Sequence, residues 1–414
     1  MNTLFQVAWI VIETIALSVF SPFFWIVIIL VIMQYRNKIA IEREIMGIEQ
    51  EPIKELVLDS VFYGVIAATI GSFIMVFLGI TIENIGLQYV WPLAILLMFI
   101  SPRYICFSYS GGIVSLISLI FGVPKISVPA LMAIVGILHL MESLLIYIDG
   151  WRTPTPIFIR LKDGRIAGGF TMQKFWPIPF AALTVVTATN MTGELIHMPD
   201  WWPVLKPEGI DPATAVFLII PAVAALGYGD LALSKLPEEK TKLSSKRLFL
   251  FSGTLILFAV LGIYEKVFQY IAALFAPIAH ELLIIIGQRE EREKPPIFVA
   301  PDTGLMVLTT AKGSPARQMG IRPGDVILSV NGAPVNEPED IIRVIEDRPT
   351  MLWITVKDLK GHYTSYEYRD PEGVYSLGVL VVPKTVGIVY EINEDGIILK
   401  KLKSIFRNIF KKGE

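Results

Sequence analysis

Four side chains in the apolar part of this sequence could do chemistry: His139 and Glu142 in one apolar run, and the adjacent pair His280-Glu281 in a later one. A spacing of three puts His139 and Glu142 on one face of a helix. Ionisable groups are costly in lipid, so there they count by default as functional candidates. The string Ala-His-Glu-Leu-Leu at 279–283 follows the first half of a His-Glu-x-x-His zinc motif, in which two histidines one turn apart hold the metal and the glutamate is the base. Position 284 is isoleucine, so a second histidine can come only from His139 on another helix. The favoured reading is an interhelical hydrogen-bonded cluster of the four residues. No metal, no other cofactor and no catalytic activity are expected. Cys106 is the only cysteine, which excludes an intramolecular disulfide and, on this reading, a Cys-based zinc cluster.

The elements that would hold these groups are membrane helices. Of the 414 residues 53% are hydrophobic and only 18% charged, with a mean hydropathy of +0.59, too apolar for an ordinary soluble domain. A net charge of −2 argues against nucleic acid as a partner, since phosphate binding needs a concentrated basic surface. Residues 4–20 read as a short interfacial or re-entrant helix ending at Ser21-Pro22. They have no basic flank of the kind a cleaved signal peptide shows, so the segment is expected to be retained. A span then runs to Tyr35. Further apolar runs at about 57–80, 86–100, 104–122, 126–148, 175–192, 213–232, 247–264 and 266–287 predict eight to ten crossings, at roughly 20 residues each. Around Pro102-Arg103 a hairpin and a crossing look alike.

Basic residues concentrate in alternate loops. One set holds Arg36, Lys38, Arg43 and Lys54, then Arg103, then Arg152, Arg160, Lys162, Arg165 and Lys174, then Lys235, Lys240, Lys242, Lys246 and Arg247. The other has Lys125, Lys206 and Lys266. An excess of Lys and Arg marks the cytoplasmic side, which also places everything after Arg289 inside. The opposite loop 193–212, with Glu194, His197, Asp200 and Trp201-Trp202, reads as an interfacial belt. The loop from Trp151 to Lys174 carries a turn at Asp163-Gly164 that could close a hairpin; an ordinary connector is favoured over a partner surface.

After the charged linker at 290–296 the composition becomes that of a soluble domain. Residues 304–310 predict a strand, and Ser314 to Met319 a short helix capped by Ser314 and ended by Gly320. Asp325 to Val330 predicts a strand closing in an Asn331-Gly332 turn. Glu337 to Ile345 predicts an amphipathic helix, with Met351 to Val356 and Tyr363 to Tyr368 as further strands. With its Gly-Ser-Pro-Ala, Gly-Ile-Arg-Pro-Gly-Asp and Ile-Leu-Ser-Val-Asn-Gly strings, this order resembles the PDZ family in its bacterial form. The resemblance implies capture of an extended peptide, with backbone amides of a Φ-Gly-Φ loop holding a terminal carboxylate. Little chain precedes the 304–310 strand, so a circularly permuted domain is expected, with Leu377, Gly378 and Val379 as the loop and Ile341, Ile342 and Ile345 lining the pocket. The competing reading makes these a bent strand and plain core. The tail from Ile398 to Lys412 alternates apolar and basic faces and is expected to lie on anionic lipids.

The whole layout, with its Ser-Pro-Phe-Phe-Trp span, Gly-Trp-Arg-Thr-Pro-Thr-Pro-Ile-Phe loop, Lys-Phe-Trp-Pro-Ile-Pro segment and terminal PDZ, is similar to the MinJ-type proteins of Gram-positive bacteria. That resemblance implies a non-enzymatic adaptor of division-site selection in the bacterial plasma membrane, linking a polar scaffold to Min-system proteins. The expected fold is an α-helical polytopic membrane domain (1–289) and a linker (290–296), followed by a small, mostly β, permuted PDZ domain (297–395) in the cytoplasm and a basic amphipathic tail (396–414). The alternatives are an intramembrane protease or its PDZ-bearing regulator, and, behind these, a transporter using His139 and Glu142.

Overall fold

The structure, a computed structural model, describes residues 3–46, 50–161, 163–187, 196–205 and 215–384. Lys162, Glu194, Lys206 and the tail at 396–414 lie outside the described residues.

Helices α1 (Thr3–Ser18), α2 (Pro22–Met46) and α3 (Ile53–Leu78) come first. Next are α4 (Leu87–Ile100), a 3-10 turn at Pro102–Ile105, α5 (Phe107–Phe121) and α6 (Val128–Ile148). Strands β1 (Thr155–Arg160), β2 (Ile166–Thr187) and β3 (Ala215–Ala232) follow, and then α7 (Pro237–Tyr264) and α8 (Lys266–Glu293). Among the described residues five helices, α2, α3, α6, α7 and α8, are long and apolar enough to cross a membrane, while α1, α4 and α5 are shorter. The expectation of eight to ten crossings is therefore corrected to five such helices.

The first reason is that the described parts of the runs at 175–192 and 213–232, residues 175–187 and 215–232, are strands. Pro177 and Pro179 would each break a helix interior, and the β-branched residues around them favour a strand. The antiparallel β2–β3 ribbon pairs Phe170↔Ala232 through Thr187↔Ala215. Its free β2 edge is covered by α3. The Pro177 carbonyl lies where a Cβ on Gly64 would sit, 2.1 Å away, so only glycine admits this approach. Nearby the Ala181 N–H donates to Ser72 Oγ at 2.9 Å, and the Ile82 N–H donates to the Leu183 carbonyl. Prolines have no N–H to leave unpaired along such an edge.

The second reason is the α4–α5 pair. The Ser127 N–H, just after α5, donates to the Asn84 carbonyl, just before α4, at 2.7 Å, so both ends of the pair open on the same side. It is a helical hairpin, and its tip carries Arg103. That residue was grouped with the loop cations; instead it is partly buried and pairs with Glu281 at 2.9 Å.

The other buried cations converge where the helices meet the ribbon. Lys38 pairs with Glu42 at 3.2 Å, and Glu42 also accepts from Thr155. Asp149, at the end of α6, accepts from Lys174 Nζ at 2.9 Å and from Trp176 Nε1 at 2.8 Å. Glu291 accepts from the backbone N–H groups of Leu233 and Ser234 and pairs with Lys235. The turn at Asp163-Gly164 does close a hairpin, with β1 antiparallel to β2 from Thr155↔Thr171 to Arg160↔Ile166.

Helix α8 runs through most of the charged linker and stops at Lys294, before Pro295-Pro296. Strand β4 (Phe298–Val299) joins β2. Then come β5 (Leu305–Thr310), α9 (Pro315–Met319), β6 (Val326–Val330), β7 (Ala333–Pro334), α10 (Pro338–Glu346), β8 (Met351–Lys357), β9 (Tyr363–Arg369) and β10 (Val379–Val381). The second sheet has the order β10-β5-β6-β8-β9, with β7 paired to β6. Its core is Leu305, Val307, Ile327, Val330, Leu352 and Ile354 with Ile341 and Ile345 from the buried face of α10. Met306, Leu308 and Val382 face the other way, into the core that the ribbon shares with the helices.

Candidate functional site

Among the described residues β10 is an edge strand. It pairs antiparallel with β5 on one side, and its other side faces α10 across a cavity of about 450 Å³. The cavity is lined by Ile341, Ile342, Ile345, Leu377, Gly378 and Val379, joined by Arg348, Tyr375 and Ser376. All six residues singled out from sequence thus come together at one groove. Ile341 and Ile345 are buried in its floor, whereas Ile342 is 62% exposed at its rim.

The loop before β10 is held from behind. The Ala311 and Ala316 N–H groups donate to the Gly378 and Leu377 carbonyls at 2.8 and 3.1 Å. Gly378 has φ +69°, and a Cβ there would lie 2.3 Å from Ser314 Cβ, so the bend needs glycine. Its N–H donates to Ser376 Oγ at 3.1 Å. Helix α10 is fixed by a capping box, in which the Asn336 and Glu337 N–H groups both donate to Asp340 at 2.9 Å. Those two donors hold the Asp340 carboxyl below the usual carboxylate range. Lys384 reaches Glu337 at 3.0 Å and ties the exit of β10 to the start of α10.

Sequence reasoning missed Arg348. It sits at φ +47° with its guanidinium 4.5 Å from the Tyr375 ring centroid, bringing a cation to a groove whose loop has none. The separation of 27 positions hides that proximity, although the aromatic and the turn before Pro349 are visible in the sequence.

The second place where chemistry gathers is the tip of the α4–α5 hairpin. His139 on α6 and His280 on α8 face each other, with ring centroids 5.1 Å apart. Between them lies Cys106, its Sγ 3.1 Å from His139 Nε2 and 3.8 Å from His280 Nε2. Glu281 turns away to accept from Tyr109 at 2.6 Å and to pair with Arg103. Glu142 lies within electrostatic reach of both imidazoles without a hydrogen bond to either among the described residues. The expected cluster of two histidines and two glutamates is thereby corrected: Cys106 takes the central position and Glu281 the outer one. The exclusion of a Cys-based metal site also falls, since one thiol can join two imidazoles. A lone cysteine next to a Pro-Arg break in an apolar run was the available signal.

The class follows from the β-rich module: the PDZ domain family matches residues 306–358, from β5 to just past β8, so the Leu377–Val379 loop lies beyond the matched segment. The likeness also reaches into the helical part. The chain is 25% identical over 258 residues, 61% of its length, to the cell division topological determinant MinJ of Bacillus subtilis (strain 168), covering 62% of that protein. It is 20% identical over 195 residues to the probable cell division topological determinant MinJ of Lacticaseibacillus paracasei, covering 53% of it. The chain is thus similar to MinJ proteins over more than half of its length and carries a PDZ domain. A 29% identity over 104 residues with serine protease HTR4 of Rattus norvegicus covers 25% of this chain, and is likeness of the PDZ domain alone.

Proposed function

We propose that this chain is a membrane-anchored adaptor of bacterial division-site selection that captures partner proteins in the groove between β10 and α10. The observation that carries this reading is the open edge of β10 facing Ile341, Ile342 and Ile345 across an apolar cavity. An extended segment can add there as a strand, its backbone pairing with β10 and an apolar side chain entering between the isoleucines. A terminal carboxylate would displace Ser376 from the Gly378 N–H and be balanced by Arg348. Gathering Lys38, Lys174, Lys235 and Lys240 at one end of the helices supports a cytoplasmic placement of that end and of the PDZ domain with it. The basic tail would add contact with anionic lipid. Partners would be a polar scaffold protein and Min-system proteins, one held by the groove and another by the membrane part. Holding both raises the effective concentration of the second.

The test is a cross-linking pull-down from the native bacterium with wild type and Ile342→Glu. Ile342 lies at the rim, so a charge there blocks the groove without entering the core. By contrast, Gly378→Glu would clash with Ser314 and distort the loop it is meant to probe. Loss of polar or division proteins from the variant catch supports the reading. An unchanged catch overturns the groove, and a catch dominated by cleaved membrane peptides overturns the adaptor.

A further inference from the structure

We propose that Cys106, His139 and His280 form a binding site for one zinc ion that joins the tip of the α4–α5 hairpin to α6 and α8. The three donor atoms all lie within 4.8 Å of one another. With Zn–S about 2.3 Å and Zn–N about 2.1 Å, a tetrahedral ion holds sulfur and nitrogen about 3.6 Å apart. The observed separations of 3.1 and 3.8 Å lie on either side of that value, so small side-chain adjustments suffice.

Both imidazoles are oriented as ligands from behind. His139 Nδ1 lies 2.7 Å from the Val135 carbonyl, which can only accept, so Nδ1 carries the proton and Nε2 presents its lone pair toward Cys106. His280 Nδ1 lies 3.3 Å from the Tyr109 hydroxyl. That hydroxyl donates to Glu281 at 2.6 Å, so it accepts from His280 and leaves Nε2 free to ligate. Glu281 is itself held by Arg103. A ligating histidine with its other nitrogen bonded to a carbonyl, or through a hydroxyl to a carboxylate, is the outer-shell pattern of metal sites.

Cys106 caps α5, and its sulfur accepts from the Ser108 N–H at 3.4 Å. A helix N-terminus favours the negative charge of a ligating sulfur. One thiolate and two neutral imidazoles leave a bound Zn²⁺ with one net positive charge, and Glu142 is the nearby carboxylate that balances it. The fourth position is open to water. The mixed sulfur–nitrogen set suits zinc over magnesium or calcium, which take oxygen ligands.

The experiment uses the full chain purified in detergent, stripped with a chelator and titrated with Co²⁺, whose thiolate charge-transfer band reports a Cys ligand directly. We expect the band to saturate at about one ion per chain, and Zn²⁺ to displace it. Cys106→Ser, which keeps the helix cap, loses the band. Tyr109→Phe, which removes the hydroxyl that supports His280 and bonds Glu281, weakens cobalt affinity about 10- to 100-fold. No band in the wild type, or an equal band in Cys106→Ser, overturns the site and leaves a hydrogen-bonded cluster. The wild-type titration needs no variant, so a variant that fails to fold does not rescue the proposal.

Discussion

Asp340 and Arg343 on the groove helix stand 3.2 Å apart at the surface, while Asp149 and Lys174, 2.9 Å apart, are sealed under Trp176. The two pairs show how differently the PDZ module and the helical part use charge. In the module, charges cap and decorate elements whose stability comes from a small apolar core, and each such pair contributes little. In the helical part they are buried where α2, α6, α7 and α8 meet the ribbon, and each must be matched because nothing else solvates it. The module can therefore lose a charge without harm, and the bundle cannot.

The sharpest way to break this contrast is Lys174→Met. It strands Asp149 with Trp176 alone, and we expect a loss of about 3–5 kcal/mol in the denaturation of the detergent-solubilised chain. A loss as small as that of a surface pair would end the distinction. Next is Ile354→Ala in the module, where the side chain is fully buried. A loss of about 2–5 kcal/mol is expected, read as protease cleavage beginning in the module while the helical part stays intact. Simultaneous cleavage of both would show that Met306, Leu308 and Val382 fuse the two regions into one folding unit.

Ile342→Glu sharpens the comparison by separating binding from stability. It should leave stability within about 0.5 kcal/mol and weaken capture of a groove peptide about tenfold or more. The smallest effects belong to exposed charges. Lys312 reaches from the module to Glu51 at 2.8 Å. Burial raises the Glu51 carboxyl, but the Lys312 and Glu55 hydrogen bonds with the Lys312 charge outweigh it and hold Glu51 below its ordinary value. Lys312→Ala should change stability only slightly, and the change should vanish at high salt. Asp340 has its folded value depressed, so its cap is fully present above the ordinary carboxylate range. It is lost as pH falls through the depressed value. Amide exchange at Asn336 and Glu337 should accelerate over that window and not near neutrality.

The module was legible because its signals are local. Ser314, Gly320, Asn331-Gly332 and the Glu337–Ile345 periodicity each sit inside the element they define, and the elements appear where those residues place them. The groove could be inferred because Leu377-Gly378-Val379 is a compact motif. Arg348 could not, since its place depends on how the chain folds back around Tyr375. In the helical part the apolar runs were plain, but hydropathy does not distinguish a buried ribbon from a helix, and it read 175–192 and 213–232 as crossings. Pro177 and Pro179 were the contrary signal.

Sequence alone determined that this chain has helices apolar enough for a membrane and a PDZ domain after them, because composition, periodicity and turn residues act over a few positions. Only the tertiary structure decided that α4 and α5 turn back together and that, among the described residues, β10 is left with an open edge. It also decided that Cys106 meets His139 and His280 from 33 and 174 residues away. Such meetings depend on which faces of distant elements pack against one another, and no local pattern of residues encodes that.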